Sequence, residues 1–156
     1  DKKIVKKVLI IDLDVHQGNG TAEIFQNDDR VFTFSIHGKK NYPFKKEKSD
    51  WDISLEDKTE DKIYLAILEE ALPKLFNKVK PDFIFYLSGV DVLESDSLGR
   101  LGMSIEGCKS RDQMVLEHCH KKNVSIQCSM GGGYSKDIKI IIEAHANTYR
   151  IAQKIY

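Results

Sequence analysis

The sequence predicts an α/β fold, a mainly parallel sheet flanked by helices, and three observations carry that reading. Short runs rich in β-branched and aromatic residues alternate with longer stretches of helical periodicity. The stretches between the strands are long enough for crossover connections, which parallel pairing requires. The first strand is apolar almost throughout, as expected of a strand covered on both faces.

The elements follow in order. Residues 5–12 (VKKVLIID) read as the first strand, and its hydrophobicity places it centrally in the sheet. Residues 20–25 are a short helix, and residues 31–36 (VFTFSI) are the second strand. Residues 38–57 form the one long irregular segment, with Lys39, Lys40, Lys45, Lys46 and Lys48 beside Tyr42, Phe44 and Trp51, and are expected to be a solvated loop or the rim of a binding site. Residues 59–79 place Ile63, Ile67, Leu68, Leu72 and Leu75 at helical spacing. Residues 82–88 (DFIFYLS) and 124–129 (VSIQCS) are further strands, followed by helices over 104–122 and 137–156. Ser104, with Glu106 behind it, is the expected cap of the first of these helices, and Ser135 precedes an acidic first turn at Asp137.

Composition narrows the functional classes. With 156 residues the chain has the length of one domain. Lys plus Arg equals Asp plus Glu at 24 each, so no net field concentrates nucleic acid or an anionic membrane. Cys108, Cys119 and Cys128 are an odd set without a CxxC pair and read as reduced thiols, which makes the cytoplasm the expected location. No apolar run reaches the roughly 18 to 20 residues of a membrane span.

The chemistry concentrates where strands end. In DLDVHQGNG, strand alternation sends Asp12, Asp14 and His16 to one side and Leu13 and Val15 to the other. A lone Asp there more often caps a helix, but crowded carboxylates repel unless a cation neutralises them, so a divalent metal is the simplest explanation. A dinucleotide loop is excluded because the third glycine of GxGxxG falls on Glu23, and no Gly-Lys-Ser/Thr ending supports a P-loop. Ligands of open α/β sheets gather beyond the carboxyl ends of the strands. Asp91 lies just past the third apolar strand, and SMGGGYS follows the fourth. Two Asp and one His are a sufficient shell for catalytic zinc, with a position left for water and substrate. Gly131, Gly132 and Gly133 let the backbone run close to a bound group and present the Tyr134 phenol as a hydrogen-bond donor.

Taken together, DLDVHQGNG, SGVDVLESDSLGRLG and MGGGYSKDI resemble the zinc-dependent histone deacetylase superfamily, in particular its bacterial and class IV-like members. The resemblance runs on through FSIHGKKNYPF and IIEAHANTYRIAQKIY and so covers essentially the whole chain. It implies an arginase/deacetylase-like fold with Asp14, His16 and Asp91 as zinc ligands and Tyr134 as the group that polarises the scissile carbonyl. It also implies a structural potassium held by Asp12, Ser35, the carbonyls of Asp14 and His16 and that of Ile36, and a weaker one at the carbonyls of Phe25, Asp28 and Val31. Tyr42 would wall the acyl-lysine tunnel, with Gly132 and Gly133 beside the substrate. The implied substrates are acetylated lysine side chains or acetylated small amines.

Similar enzymes carry a tandem His pair, N-terminal to DLDVH, that moves the protons. No His-His pair occurs here: the histidines are His16, His37, His118, His120 and His145. His118 and His120, two apart on a helix, are expected at the surface, and His145 is expected to be a packing or surface group. Ser97 stands where relatives usually have Pro, which affects loop rigidity. The expectation is therefore the C-terminal part of a deacetylase domain, incomplete at its N-terminus, inactive alone and prone to self-association where the sheet is incomplete. Two other readings remain open. A ureohydrolase of the arginase type would need further Asp and His ligands for a second metal. A metal-binding or interaction module without turnover is the alternative outside the enzymes.

Overall fold

A computed structural model describes residues 5–156 of the chain. Five parallel strands form one sheet in the order β3-β2-β1-β4-β5. These are β1 (Val8–Asp12), β2 (Val31–Gly38), β3 (Trp51–Leu55), β4 (Phe83–Gly89) and β5 (Ser125–Gly131). Four helices connect or follow them: α1 (Asn19–Phe25), α2 (Asp61–Val79), α3 (Ile105–Lys121) and α4 (Ile138–Ile155). The apolar VLIID run is the central strand, paired with β2 on one side and β4 on the other, as its composition predicts.

One expectation needs correction. The segment 38–57 is not wholly irregular, because Trp51–Leu55 adds a parallel edge strand beside β2, with Phe34 opposite Trp51 and Ile36 opposite Ile53. Its signal is weak because WDISL is only half-buried and sits behind a run of lysines. Ser104 caps α3 as expected, its hydroxyl accepting from the Gly107 N–H at 2.9 Å. At α4 the cap is Asp137, which accepts from the Lys139 N–H, rather than Ser135.

The chain runs from β1 through α1 to β2 in one direction along the sheet, and from β3 through α2 to β4 in the other. Right-handed crossovers then set α1 on one face and α2 and α3 on the opposite face. Leu9, Ile11 and Leu13 from the central strand meet Leu68, Leu72 and Leu75 of α2 and Val115 and Cys119 of α3 in one core cluster. Parallel strands all end on the same edge, so the loops after β1, β2, β4 and β5 gather there. Among the described residues no helix is long and apolar enough to cross a membrane.

Candidate metal centre

β1 stops at Asp12, but the alternation continues into the loop: Leu13 and Val15 are fully buried while Asp14 and His16 are half-buried toward the carboxyl edge. Two backbone bonds hold this extension in place, from Leu13 N–H to the Leu87 carbonyl and from Gly38 N–H to the Val15 carbonyl. Asp91, two residues past β4, is fully buried and accepts from the Val15 N–H at 2.9 Å through Oδ1. Its other oxygen lies 3.1 Å from His16 Nδ1, which also lies 3.0 Å from Asp14 Oδ1. One ligand atom from each of Asp14, His16 and Asp91 falls within 4.8 Å of the others.

The surroundings are cut to this cluster. A Cβ on Gly89 would lie 2.5 Å from Asp14 Oδ2, and one on Gly132 would lie 2.3 Å from Asp91 Oδ2. No side chain fits in either place, so the two carboxylates are seated against bare backbone. Electrostatically the cluster asks for positive charge. Hydrogen bonds to Asp14 and then Asp91 push His16 up to about 10, the direction expected of an imidazole set against two carboxylates. Burial, with the Asp14 charge adding to it, raises Asp91, and burial pushes Asp12 up to about 7. Two carboxylates and an imidazole converging through Nδ1, open on one side, are a donor set that fits a divalent ion of the zinc type.

The remaining residues singled out from the sequence distribute as follows. Asp12 and Ser35 are both buried and face each other in the β1–β2 register, one position from Ile36. Ser35 Oγ is 2.9 Å from His37 Nδ1, whose Nε2 is 3.0 Å from Ser54 Oγ, and this sealed ring is neutral because burial pushes His37 down to about 4. Near α1, the Phe25 and Asp28 carbonyls accept backbone bonds from Asp28 and Val31. Tyr42 is 62% exposed, edge-on to Phe44 with ring centroids 6.4 Å apart. Its loop is tied beside the centre by Gln17, whose side chain bonds both the carbonyl and the N–H of Glu47, and by Asn41, which donates to the Leu98 carbonyl. Gly132 and Gly133 take φ of 62° and 104°, and Tyr134 then stands 47% exposed. Burial and then the charges of Asp91, Asp14 and Asp96 hold its phenol above the ordinary value, which puts the hydroxyl in the field of the cluster.

Of the other histidines, His120 is exposed as expected, but His118 packs edge-on against Phe76 with centroids 4.5 Å apart, because its side of α3 faces α2. His145 is half-buried, its Nε2 3.6 Å from where a Gly133 Cβ would stand. Two residues escaped the sequence reading. Asp96 accepts from the Tyr134 N–H at 2.7 Å. Arg111 is fully buried behind the centre and donates through Nη1 to the carbonyls of Leu13 (3.0 Å) and Gly89 (2.7 Å), and through Nε to Asp112 (2.9 Å).

Comparison with known proteins bears on the family and the fold. The histone deacetylase domain model matches residues 1–149. An uncharacterised protein of Picosynechococcus sp. is 43% identical over 153 residues, which cover 98% of this chain and 51% of that protein. Histone deacetylase 2 of Arabidopsis thaliana is 33% identical over 150 residues, 94% of this chain and 39% of that protein. Among solved structures, a histone deacetylase homologue from Aquifex aeolicus superposes with a TM-score of 0.81 at 23% identity, over 97% of this chain and 43% of the other. An acetylpolyamine aminohydrolase from Burkholderia pseudomallei gives 0.77 at 20% identity, over 97% and 46%. These two likenesses bear on the fold. The chain spans about half, or less, of the relatives it matches. By a domain match over nearly its whole length, the chain belongs to the histone deacetylase family.

Proposed function

We propose that this chain carries the metal-binding half of a zinc-dependent amide hydrolase that removes acetyl or other acyl groups from lysine side chains or related amines. The observation that carries the reading is the convergence of Asp14, His16 and Asp91, from the ends of two adjacent strands, on one point beside the Tyr134 loop. Zinc held there supplies Lewis acidity toward an amide carbonyl and toward water. The chain's own groups do the rest of what can be assigned to it. Asp14, Asp91 and His16 Nδ1 hold the ion, and Gly132 lets the backbone pass close against Asp91, where a Cβ would come within 2.3 Å of its carboxylate. The Tyr134 phenol, protonated at neutral pH like any phenol, donates a hydrogen bond to the carbonyl oxygen as negative charge develops there. Tyr42 and Phe44 offer exposed aromatic surface for the alkyl part of the acylated amine. A structural potassium at Asp12, Ser35 and the Ile36 carbonyl would relieve the carboxyl whose burial drives it to about 7.

Proton transfer is the piece these residues lack. His37 is sealed between two serines, His118 and His120 sit on α3, and His145 on α4 lies behind Gly133 outside the Asp14–His16–Asp91 cluster. The base therefore comes from the part of the family domain that these residues do not span, and the chain alone is expected to hydrolyse nothing. The test is hydrolysis of an acetyl-lysine peptide by the chain alone and by the chain co-expressed with the half of the domain that the cyanobacterial relative carries outside the match. Turnover only in the second case, reduced about 10²- to 10³-fold by Tyr134→Phe, is expected. Zinc bound with no turnover in either case supports a metal-binding interaction module instead.

A further inference from the structure

Tyr134 presents a positional problem. It follows two glycines at positive φ, the most permissive backbone a chain can have, and it is 47% exposed, so packing does not place it. What holds it is a loop from elsewhere in the fold. We propose that Asp96 is a positioning residue for Tyr134, a latch that references the phenol to the metal ligand Asp91; this rests on the catalytic reading of Tyr134 given above.

The latch can be followed atom by atom. Asp96 Oδ2 accepts from the Tyr134 N–H at 2.7 Å, a charge-assisted bond to the backbone of the tyrosine itself. Asp96 Oδ1 accepts from the N–H groups of Leu98 (2.8 Å) and Gly99 (2.7 Å), so the carboxylate cannot swing without breaking three bonds. Gly99 is in turn pressed on the Asp91 backbone, where a Cβ would come within 1.8 Å of the Asp91 carbonyl oxygen. One loop thus fixes the metal ligand at its start and the tyrosine backbone at its turn. A second contact doubles the tie: the hydroxyls of Ser95 and Ser135 meet at 2.8 Å, and each serine is the immediate neighbour of a latch residue. Asp96 makes no hydrogen bond to Asp14, His16 or Asp91, and of its three bonds only the one to the Tyr134 N–H reaches a residue of the proposed chemistry. Because Ser97 leaves this loop without the stiffness a proline would give, the bonds of Asp96 carry more of the ordering.

The test has two arms. In this chain, without substrate, amide exchange at the Tyr134 N–H followed by NMR should speed up on the order of tenfold or more in Asp96→Ala. Zinc affinity by chelator competition should stay as in the parent. Asp96→Asn, which keeps the shape but loses one acceptor oxygen, should fall between and covers the case in which the alanine variant does not fold. In the co-expressed enzyme, Asp96→Ala should lower kcat with KM unchanged, and the Asp96→Ala/Tyr134→Phe double variant should be no slower than Tyr134→Phe alone. Unchanged exchange in both Asp96 variants, or kinetic losses that add in the double variant, overturn the latch. A fully active Tyr134→Phe enzyme would instead overturn the catalytic reading, and the positioning role with it.

Discussion

His16 is the residue on which the centre turns, because one nitrogen faces two carboxylates from different strand ends at 3.0 and 3.1 Å. On the zinc reading proposed above, each ligand's contribution is read most directly from ion affinity. Asp91 is the fully buried member, and replacing it with Ala removes a donor and leaves the Val15 N–H without its acceptor. Asp91→Ala should weaken zinc binding by at least about 100-fold, more than the loss of an outer-sphere partner brings. Zinc content after equilibration with a chelator checks it, and an unchanged value removes Asp91 from the site. Behind Asp14, His16 and Asp91, Arg111 makes no hydrogen bond to their side chains yet holds the carbonyls of Leu13, next to Asp14, and of Gly89, the last residue of β4. Its carboxylate partner Asp112 also accepts from the Tyr86 hydroxyl and from Thr148 on α4 at 2.5 Å each. Arg111→Met strands that buried carboxylate and should cost about 3–5 kcal/mol in urea unfolding. Removing both charges together, in Arg111→Met/Asp112→Leu, should cost less. Asp14, His16 and Asp91 were legible in the sequence because each is a ligand type placed at a strand end. Arg111 was not, since adjacent opposite charges in a helical segment look like a solvated face.

At the scale of elements, α3 shows how burial assigns a different life to residues two apart. His120 faces solvent and the Tyr156 ring, while His118 packs against Phe76 of α2. Burial, and then the charges of Lys122 and Lys121, lower the His118 pKa below its ordinary 6.5. In the unfolded chain the ring protonates near that ordinary value, before it would in the folded state. Stability is therefore complete above about 6.5 and is lost as pH falls below it, because the unfolded state takes up the proton first. His118→Leu should flatten that acid slope, seen as a smaller difference between urea midpoints at acid and neutral pH than the parent shows. An equal slope in the variant would assign the acid sensitivity elsewhere. β1, β2, β4 and β5 and the three long helices were legible from periodicity, and α3 even to its Ser104 cap. β3 was hidden because an edge strand is half polar and its partner β2 lies 12 or more residues back across a lysine-rich loop. The Asp96–Tyr134 contact was hidden for a related reason: its members are 38 residues apart and neither loop has a period to read.

For the molecule as a whole, the order β3-β2-β1-β4-β5 leaves the two sides of the sheet unequally covered. α2, α3 and α4 make one layer, whereas the other face has α1, only seven residues long with Ala22 its buried member. The consequence shows on β4, where Ile84 and Tyr86 are fully buried but Phe85, pointing the other way, is 41% exposed beside Phe83, with ring centroids 5.1 Å apart. On β5 the register partners of those two rings, Ser125 and Gln127, are exposed, and Met130 is 64% exposed. The outer backbone groups of β5 have no strand partner among the described residues. Apolar rings beside an unpaired strand edge favour pairing with another chain, since both the backbone groups and the ring surface gain by it. The 156-residue chain should therefore associate as its concentration rises. Sedimentation velocity up to roughly 100 µM, where even weak interfaces are populated, should show the sedimentation coefficient climbing. The double variant Phe85→Ser/Gln127→Lys, which removes a ring and sets a charge on the edge, should stay monomeric with its zinc affinity intact, because neither residue touches the metal cluster. A parent chain that remains monomeric over the same range would mean that the open face of β4 and β5 is tolerated by water as it stands.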